Sequence, residues 1–340
     1  MAEPLDLAFA GAGWIAGVHG FALQHVPGTR VTAVASRTPE KAATFAARVG
    51  AATVDYADLP AGAAGVVVCT PPHRHAGDAL QAVAAGAGVL LEKPLCTTLE
   101  EADALVDAAE AGATIAYAEN LIHAPLVELA AAHAHQLTGI DVLEVRAIQS
   151  RPTWGDFLTE GWGGGVLFDL GVHPLAVALV LAAPAAPTAV RATLTGAADH
   201  PVDEHADLQL RFDTGLVARI VTSWTGGDTA VWDAQVSAPD GVVRLELLPG
   251  LLLERNGVEV PVPPAPDGVF PQLADLGYLV QMQRFVDDVR AQRPAAVGPA
   301  FGRAVLDVVC GAYASAGQGG DWVDLPFSGP RDARPLDLWR

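Results

Sequence analysis

Short apolar runs separated by helix-forming stretches constrain this chain more than any other feature. Residues 5–10, 31–35, 65–69, 89–91 and 114–118 read as buried strands, and the stretches between them are rich in alanine. Strands that alternate with helices at this spacing predict a parallel sheet with crossover helices. Such sheets bind ligands outside the C-terminal ends of their strands. The residues that follow each run are therefore where chemistry is expected.

The first run is followed by Gly11-Ala12-Gly13-Trp14-Ile15-Ala16 and a helical stretch to about residue 25. This is the strand, glycine turn and helix order of a dinucleotide-binding fold. Gly11 permits the tight turn, Gly13 lets the backbone approach a pyrophosphate, and Ala16 takes the place of the third glycine. Trp14 and Ile15 open the helix, whose N-terminal N–H groups can hold the anion.

The second run ends in Ser36-Arg37-Thr38, with no acidic residue to grip the ribose 2′-hydroxyl of NAD. Ser36 and Thr38 offer hydroxyls, and Arg37 can pair with a 2′-phosphate or stack on adenine. NADP is therefore expected ahead of NAD. Thr38-Pro39 also fits the N-cap and first position of the next helix, and both uses are compatible.

Lys93 ends the run that begins at Gly88 and is one of only two lysines, the other being Lys41. Pro94 fixes its own φ and pushes Lys93 towards an extended conformation. A lysine at the C-terminal end of a buried parallel strand sits where such sheets bind ligands. The plain alternative is a strand-end lysine reaching solvent. Residues 98–109 follow as a helix opened by the capping box Thr98…Glu101.

After residue 120 the pattern changes. Residues 143–150 and 190–195 read as strands. Three hairpins then turn at Asp213-Thr214-Gly215, Pro239-Asp240-Gly241 and Asn256-Gly257. Helices are expected over 276–292 and 302–316. The fold class is α/β: a Rossmann dinucleotide-binding domain over 1–120, then an α+β domain with a large, mostly antiparallel open sheet over 121–328. Residues 329–340 read as a tail.

Between Gly163 and Ala183 the only ionisable side chains are Asp169 and His173. A helix apolar all round is buried. Residues four apart share one face of it, and Pro174 is expected to kink it. Two ionisable groups in such a place need a partner or a ligand. Asp169 can orient the imidazole and leave its other nitrogen for proton transfer. A purely structural Asp–His pair is the alternative.

The net charge of −19 argues against a nucleic-acid partner. Cys69, Cys96 and Cys310 show no metal-ligand spacing and suit reduced thiols, so no metal and a cytoplasmic location are expected. The first residues lack a basic leader region and no apolar run approaches a membrane span, so no membrane partner is expected.

Four blocks together resemble the Gfo/Idh/MocA family of sugar and polyol oxidoreductases. They are Gly11 to Ala16; Thr70-Pro71-Pro72-His73-Arg74-His75; Glu92-Lys93-Pro94; and Gly163-Gly164-Gly165 through Asp169-Leu170-Gly171-Val172-His173. The resemblance implies that Lys93 lies beside a nicotinamide and that Lys93, Asp169 and His173 form a catalytic triad. Thr70, Pro71, His75 and Glu92 join the expected cofactor contacts on the same ground. Where many members carry an asparagine, an arginine and an aspartate, this chain has Pro72, Leu121-Ile122-His123 and Ala176. The expected substrate contacts are Asn120, His123, Trp154, Asp156 and Trp162. Aromatic faces pack on sugar C–H groups and Asp156 can take hydroxyls, while ordinary loop residues are the alternative.

The expected activity is NAD(P)-dependent hydride transfer to or from a secondary hydroxyl or carbonyl of a sugar, cyclitol or related polar small molecule. His173 takes the hydroxyl proton, Lys93 stabilises the developing alkoxide, and Asp169 orients His173. A catalytically silent cofactor-sensing regulator and a hydrolase or lyase with a tightly held, recycled cofactor are the alternatives. A homodimer or homotetramer is expected, because residues 217–221 and 251–253 would place apolar groups on both faces of a sheet whose helices cover one.

Overall fold

The structure, a computed structural model, describes residues 3–153 and 155–340. The chain forms two compact units.

The first unit contains the chain up to Cys96, then Glu100–Asn120 and Ala265–Arg303. Its strands are β1 (Leu5–Ala10), β2 (Thr29–Ala35), β3 (Ala52–Thr53), β4 (Gly65–Val68), β5 (Gly88–Glu92) and β6 (Ile115–Ala118). They lie in the order β3-β2-β1-β4-β5-β6, all parallel. The connections run through α1 (Trp14–Leu23), α2 (Pro39–Val49), α3 (Pro72–Ala84) and α4 (Leu99–Glu110). β4, β5 and β6 are buried along their whole length, as strands covered on both faces must be.

The expected continuous second domain over 121–328 is interrupted. The helix Tyr278–Ala291 returns to the first unit, where Met282, Phe285, Val286 and Val289 pack on Leu7, Phe9, Val67 and Leu90. Four apolar side chains on one stripe stabilise this docking by about 1.5–3 kcal/mol each. The helix was legible in the sequence, but the surface that covers its stripe was not.

The second unit holds Thr97–Leu99, Leu121–Pro264 and Ala304–Arg340. Its helices include α5 (Pro125–Ala134), α6 (Val166–Asp169) and α7 (Val172–Ala182). Its strands are β7 (Val142–Ile148), β8 (Pro187–Gly196), β9 (Asp203–Phe212), β10 (Val217–Ser223), β11 (Val231–Ala238), β12 (Gly241–Leu248), β13 (Leu252–Arg255), β14 (Val258–Glu259) and β15 (Val323–Asp324). The order is β14-β13-β12-β11-β7-β10-β9-β8-β15. β7 and β10 are parallel, and the other neighbours are antiparallel. All three expected hairpins form at their expected turns.

Alternation decides the two faces of this sheet. Leu143, Val145, Ala206, Leu208, Leu210 and Ile220 point into the core. The opposite face is mixed rather than apolar, which corrects the expectation in part: Val217 and Leu251 are exposed, but charged and polar side chains line the face. Arg146 pairs there with Asp233, Arg219 with Asp207, and Arg191 with Gln209. In residues 217–221, Ala218 and Ile220 take the core side, Arg219 takes the open side, and Val217 is exposed.

The last residues are no loose tail. Helix Pro335–Trp339 closes the chain, with Leu336 fully buried and its N–H donated to the Gly163 carbonyl at 2.9 Å.

Candidate active site

In the first unit, β1 delivers the chain into a turn that only glycine fits. Gly11 has φ +108°, donates its N–H to Ala35 O at 2.8 Å, and a Cβ there would lie 2.5 Å from Cys69 O. Gly13 is the N-cap of α1, with no side-chain capping bond, and a Cβ on it would meet no atom within 4 Å. An open surface before an uncapped helix N-terminus fits a dinucleotide pyrophosphate, because helix N–H groups favour an anion. Ile15 lies in the first turn of α1. Trp14, 70% exposed, borders a groove of about 390 Å³ lined also by Gly13, Lys41, Thr44, Phe45 and Arg48.

At the end of β2, Ser36 Oγ accepts the Thr38 N–H at 3.3 Å, and Arg37 is exposed. Thr38 is the N-cap of α2, but its side chain makes no capping bond. After β4, α3 starts at Pro72, because the proline suits a first turn that has no use for its N–H. Pro71 is its N-cap, and Thr70 donates to Asp78 at 2.8 Å. Arg74 forks onto the same carboxylate and lies 4.5 Å above the Tyr56 ring.

His75 is buried between two carbonyls, Pro94 O at 2.8 Å and Thr70 O at 2.7 Å, and so links the ends of β4 and β5. Burial pulls its pKa below the ordinary histidine value, against the opposing influence of both carbonyls, Glu92 and Asp78. Glu92 is buried too. One carboxylate oxygen meets His19 Nε2 at 2.6 Å and the other accepts the Lys93 N–H at 2.9 Å. Burial acts to raise its pKa, but His19, Lys93 and His75 outweigh it and hold the carboxyl below its usual value. Lys93 is half-buried and its peptide to Pro94 is cis. Asn120 is buried and commits its amide N–H to Leu276 O at 2.7 Å.

In the second unit, Asp169 and His173 are 8% and 5% exposed. They do not lie on one helix. Asp169 ends α6 and His173 is the second residue of α7, with the break at Leu170-Gly171. The segment Glu160–Asp169 and α7 make an angle of 43°. Pro174 does not cause this bend. It lies in the first turn of α7, where its missing N–H costs nothing. Gly171 permits the break, since a Cβ there would lie 2.5 Å from Leu167 O.

The His173 ring lies 5.5 Å from Trp232 on β11 at 32°. The turn before α6 is held from afar. Asp203 accepts the N–H groups of Gly165 and Leu167, each at 2.9 Å, and the Tyr313 hydroxyl donates to the same carboxylate. Trp162 packs on Phe157 with ring centroids 4.5 Å apart, its indole N–H buried without a hydrogen-bond partner among the described residues. Asp156 is exposed and His123 is buried in the short helix Asn120–His123. Trp154 lies outside the described residues.

Sequence reasoning passed over His19, Lys41, Asp203, Tyr313 and Trp232. Only His19 carried a local signal. It sits on the apolar stripe of α1 with Ala16, Ala22 and Leu23, and a buried histidine needs a partner.

A glycine-turn cradle on a parallel sheet, followed by a mixed-sheet unit with a buried aspartate and histidine, defines a dinucleotide-dependent oxidoreductase fold. Residues 5–119 match the oxidoreductase family with an NAD-binding Rossmann fold, and residues 134–243 match the GFO/IDH/MocA C-terminal domain. The chain belongs to the GFO/IDH/MocA family of oxidoreductases. It is 30% identical to the D-xylose 1-dehydrogenase (NADP(+)) 2 of Haloferax volcanii over 64% of this chain and 67% of that one. It is 33% identical to the D-glucoside 3-dehydrogenase of Escherichia coli, over 54% of this chain and 56% of that one. It spans 61% of an uncharacterised Rhizobium meliloti oxidoreductase, so the curated relatives are matched over part of their length. Among solved structures, GenD2 from gentamicin A biosynthesis, in complex with NAD, has a TM-score of 0.85 at 27% identity, over 96% of this chain and 97% of that one.

Proposed function

We propose that this protein is an NAD(P)-dependent dehydrogenase acting on a secondary hydroxyl, or the matching carbonyl, of a sugar, cyclitol or related polyol. The observation that carries the reading is His173, buried at the start of α7 and packed against Trp232, in a chain whose first unit presents an open dinucleotide cradle. The names of the Haloferax and Escherichia relatives support the substrate class.

A bound nicotinamide supplies the acceptor or donor of hydride. His173 takes the hydroxyl proton on a ring nitrogen, with Trp232 fixing the plane of the imidazole. Asp169 orients His173. The Lys93 ammonium stabilises the developing alkoxide in a site of low water content. Trp162 and Asp156 serve the substrate, one as an apolar wall and one as a hydroxyl acceptor. The cofactor is NADP in preference to NAD, supported by exposed Arg37 at the end of β2 and by Lys41 and Arg48 in the groove beside Gly13. In a chain of net charge −19, such cations are the local means of holding a phosphate.

The protein assembles as a homodimer or homotetramer. The support is the open sheet face, where arginines alternate with acidic partners, because a surface carrying both signs can complement itself about a two-fold axis. Three free thiols suit a reducing cytoplasm.

The test is a screen of D-glucose, D-xylose and myo-inositol with NAD⁺ and NADP⁺ separately, followed by nicotinamide absorbance. Reduction of either cofactor supports the reading. No reduction, with nucleotide retained through dialysis, would favour a recycled cofactor instead.

A further inference from the structure

A buried contact in the first unit joins two residues 73 apart in sequence, His19 on α1 and Glu92 at the end of β5. His19 is fully buried and Glu92 is 5% exposed. Burying a carboxylate carries a large desolvation cost, and a well-packed apolar replacement is often as stable. Stability alone therefore gives little reason for a carboxylate here. The second carboxylate oxygen accepts the backbone N–H of Lys93 at 2.9 Å. The carboxylate is thus clamped at one oxygen by the imidazole and holds the Lys93 backbone with the other. Tyr278 closes over the imidazole edge-on, with ring centroids 5.9 Å apart at 78°.

We propose that His19 is a positioning residue for the reaction: through Glu92 it fixes the backbone of Lys93 and keeps an anion beside the Lys93 ammonium. This rests on the dehydrogenase reading, in which Lys93 stabilises the alkoxide. The titratable groups around Glu92 include His19 from α1, His75 from α3, Lys93 next after β5, Cys69 after β4, Tyr117 on β6 and Tyr278. Of these only His19 donates a side-chain hydrogen bond to the carboxylate among the described contacts. Loss of His19 leaves the carboxylate buried with a weaker hold, so its negative charge is less well maintained.

Because the chain has only two lysines, Lys93 can be followed chemically with Lys41 as an internal reference. Wild type, His19→Leu, His19→Gln, Glu92→Gln and Lys93→Met are compared. Limited acetylation with acetic anhydride at pH 8, read by mass spectrometry, measures the Lys93 to Lys41 labelling ratio without any substrate. His19→Leu and Glu92→Gln should each raise this ratio about threefold or more, since an ammonium that loses its anion yields free amine more readily. His19→Gln, whose amide can donate to Glu92, should return towards wild type. With D-xylose and NADP⁺, His19→Leu should lower kcat about tenfold while KM and cofactor Kd change less than about threefold.

An unchanged labelling ratio in both His19→Leu and Glu92→Gln overturns the proposal, whatever the kinetics show. So does a fall in kcat that His19→Gln does not restore and that tracks thermal stability, because that pattern marks packing alone. Lys93→Met separates the two readings: if it keeps wild-type turnover the dehydrogenase assignment of Lys93 fails, and the labelling ratio still decides what His19 does.

Discussion

The Asp203 carboxylate caps the helix that ends in Asp169 by accepting the Gly165 N–H at 2.9 Å from a strand 38 residues further along the chain. A Cβ on Gly165 would lie 2.2 Å from the Asp203 carbonyl oxygen, so the approach requires glycine. Tyr313 completes the arrangement by donating its hydroxyl to the same carboxylate and accepting the Gly165 N–H at 2.9 Å. Asp203→Ala strands two buried donors, the Leu167 N–H and the Tyr313 hydroxyl, and leaves the Gly165 N–H with Tyr313 alone; at about 1–3 kcal/mol for each stranded donor it should cost about 2 kcal/mol or more. Tyr313→Phe removes both bonds of the hydroxyl but leaves the Gly165 and Leu167 N–H groups on Asp203, and should cost about 1–2 kcal/mol. Urea unfolding followed by tryptophan fluorescence checks both, and equal losses for the two variants would contradict the assignment.

Lys93→Met and His173→Ala should each reduce kcat by more than about tenfold, a loss above about 1.4 kcal/mol in the transition state. Cofactor binding should persist, because the Gly11 and Gly13 cradle is untouched. Steady-state kinetics with the best sugar from the screen, and cofactor titration by fluorescence, separate the two effects. Retention of turnover by both variants would remove these residues from the chemistry.

Arg37→Ala should weaken NADP binding and leave NAD binding nearly unchanged. The side chain is exposed at the end of β2, where no acidic residue is present to favour a ribose hydroxyl. Dissociation constants for both cofactors, measured on wild type and variant, give the answer. Tighter NAD than NADP binding by wild type would reverse the preference.

Acid should destabilise the first unit in part through His75. Its folded pKa lies below the ordinary value, chiefly from burial, so the unfolded chain takes up the proton first as pH falls. The stability it contributes is present above the unfolded pKa of about 6.5 and is lost as pH falls through the folded value. Melting temperatures at pH 7, 6 and 5 should decline less steeply in His75→Gln than in wild type. Parallel declines would mean that other groups carry the acid sensitivity.

Light scattering at micromolar concentration should give a mass at least twice the 35.0 kDa of one chain. If the ion-paired sheet face forms the contact, added salt should weaken association, since exposed charges are screened within about 10 Å at 0.1 M. A mass of one chain at low salt would refute the oligomer.

What could be read from sequence was set by short-range physics. The glycine turn, the buried runs of β4 to β6 and all three hairpins depend on residues a few positions apart, and each formed where the pattern placed it. Asp169 and His173, set in an apolar stretch, are likewise buried as that setting implied. Tertiary structure decided what depends on distant partners. Asp169 and His173 lie on two helices because Gly171 packs against the Leu167 carbonyl, and no local periodicity reveals such a break. Helix Tyr278–Ala291 joined the first unit because its apolar stripe found Leu7 and Phe9 there, while an amphipathic helix specifies only that it needs a surface. The second sheet face came out ionic because the register set Arg146 opposite Asp233, and register is a property of paired strands. His19 and Glu92 met only when α1 was laid on the sheet beside β5, where burial turned an ordinary imidazole and carboxylate into partners.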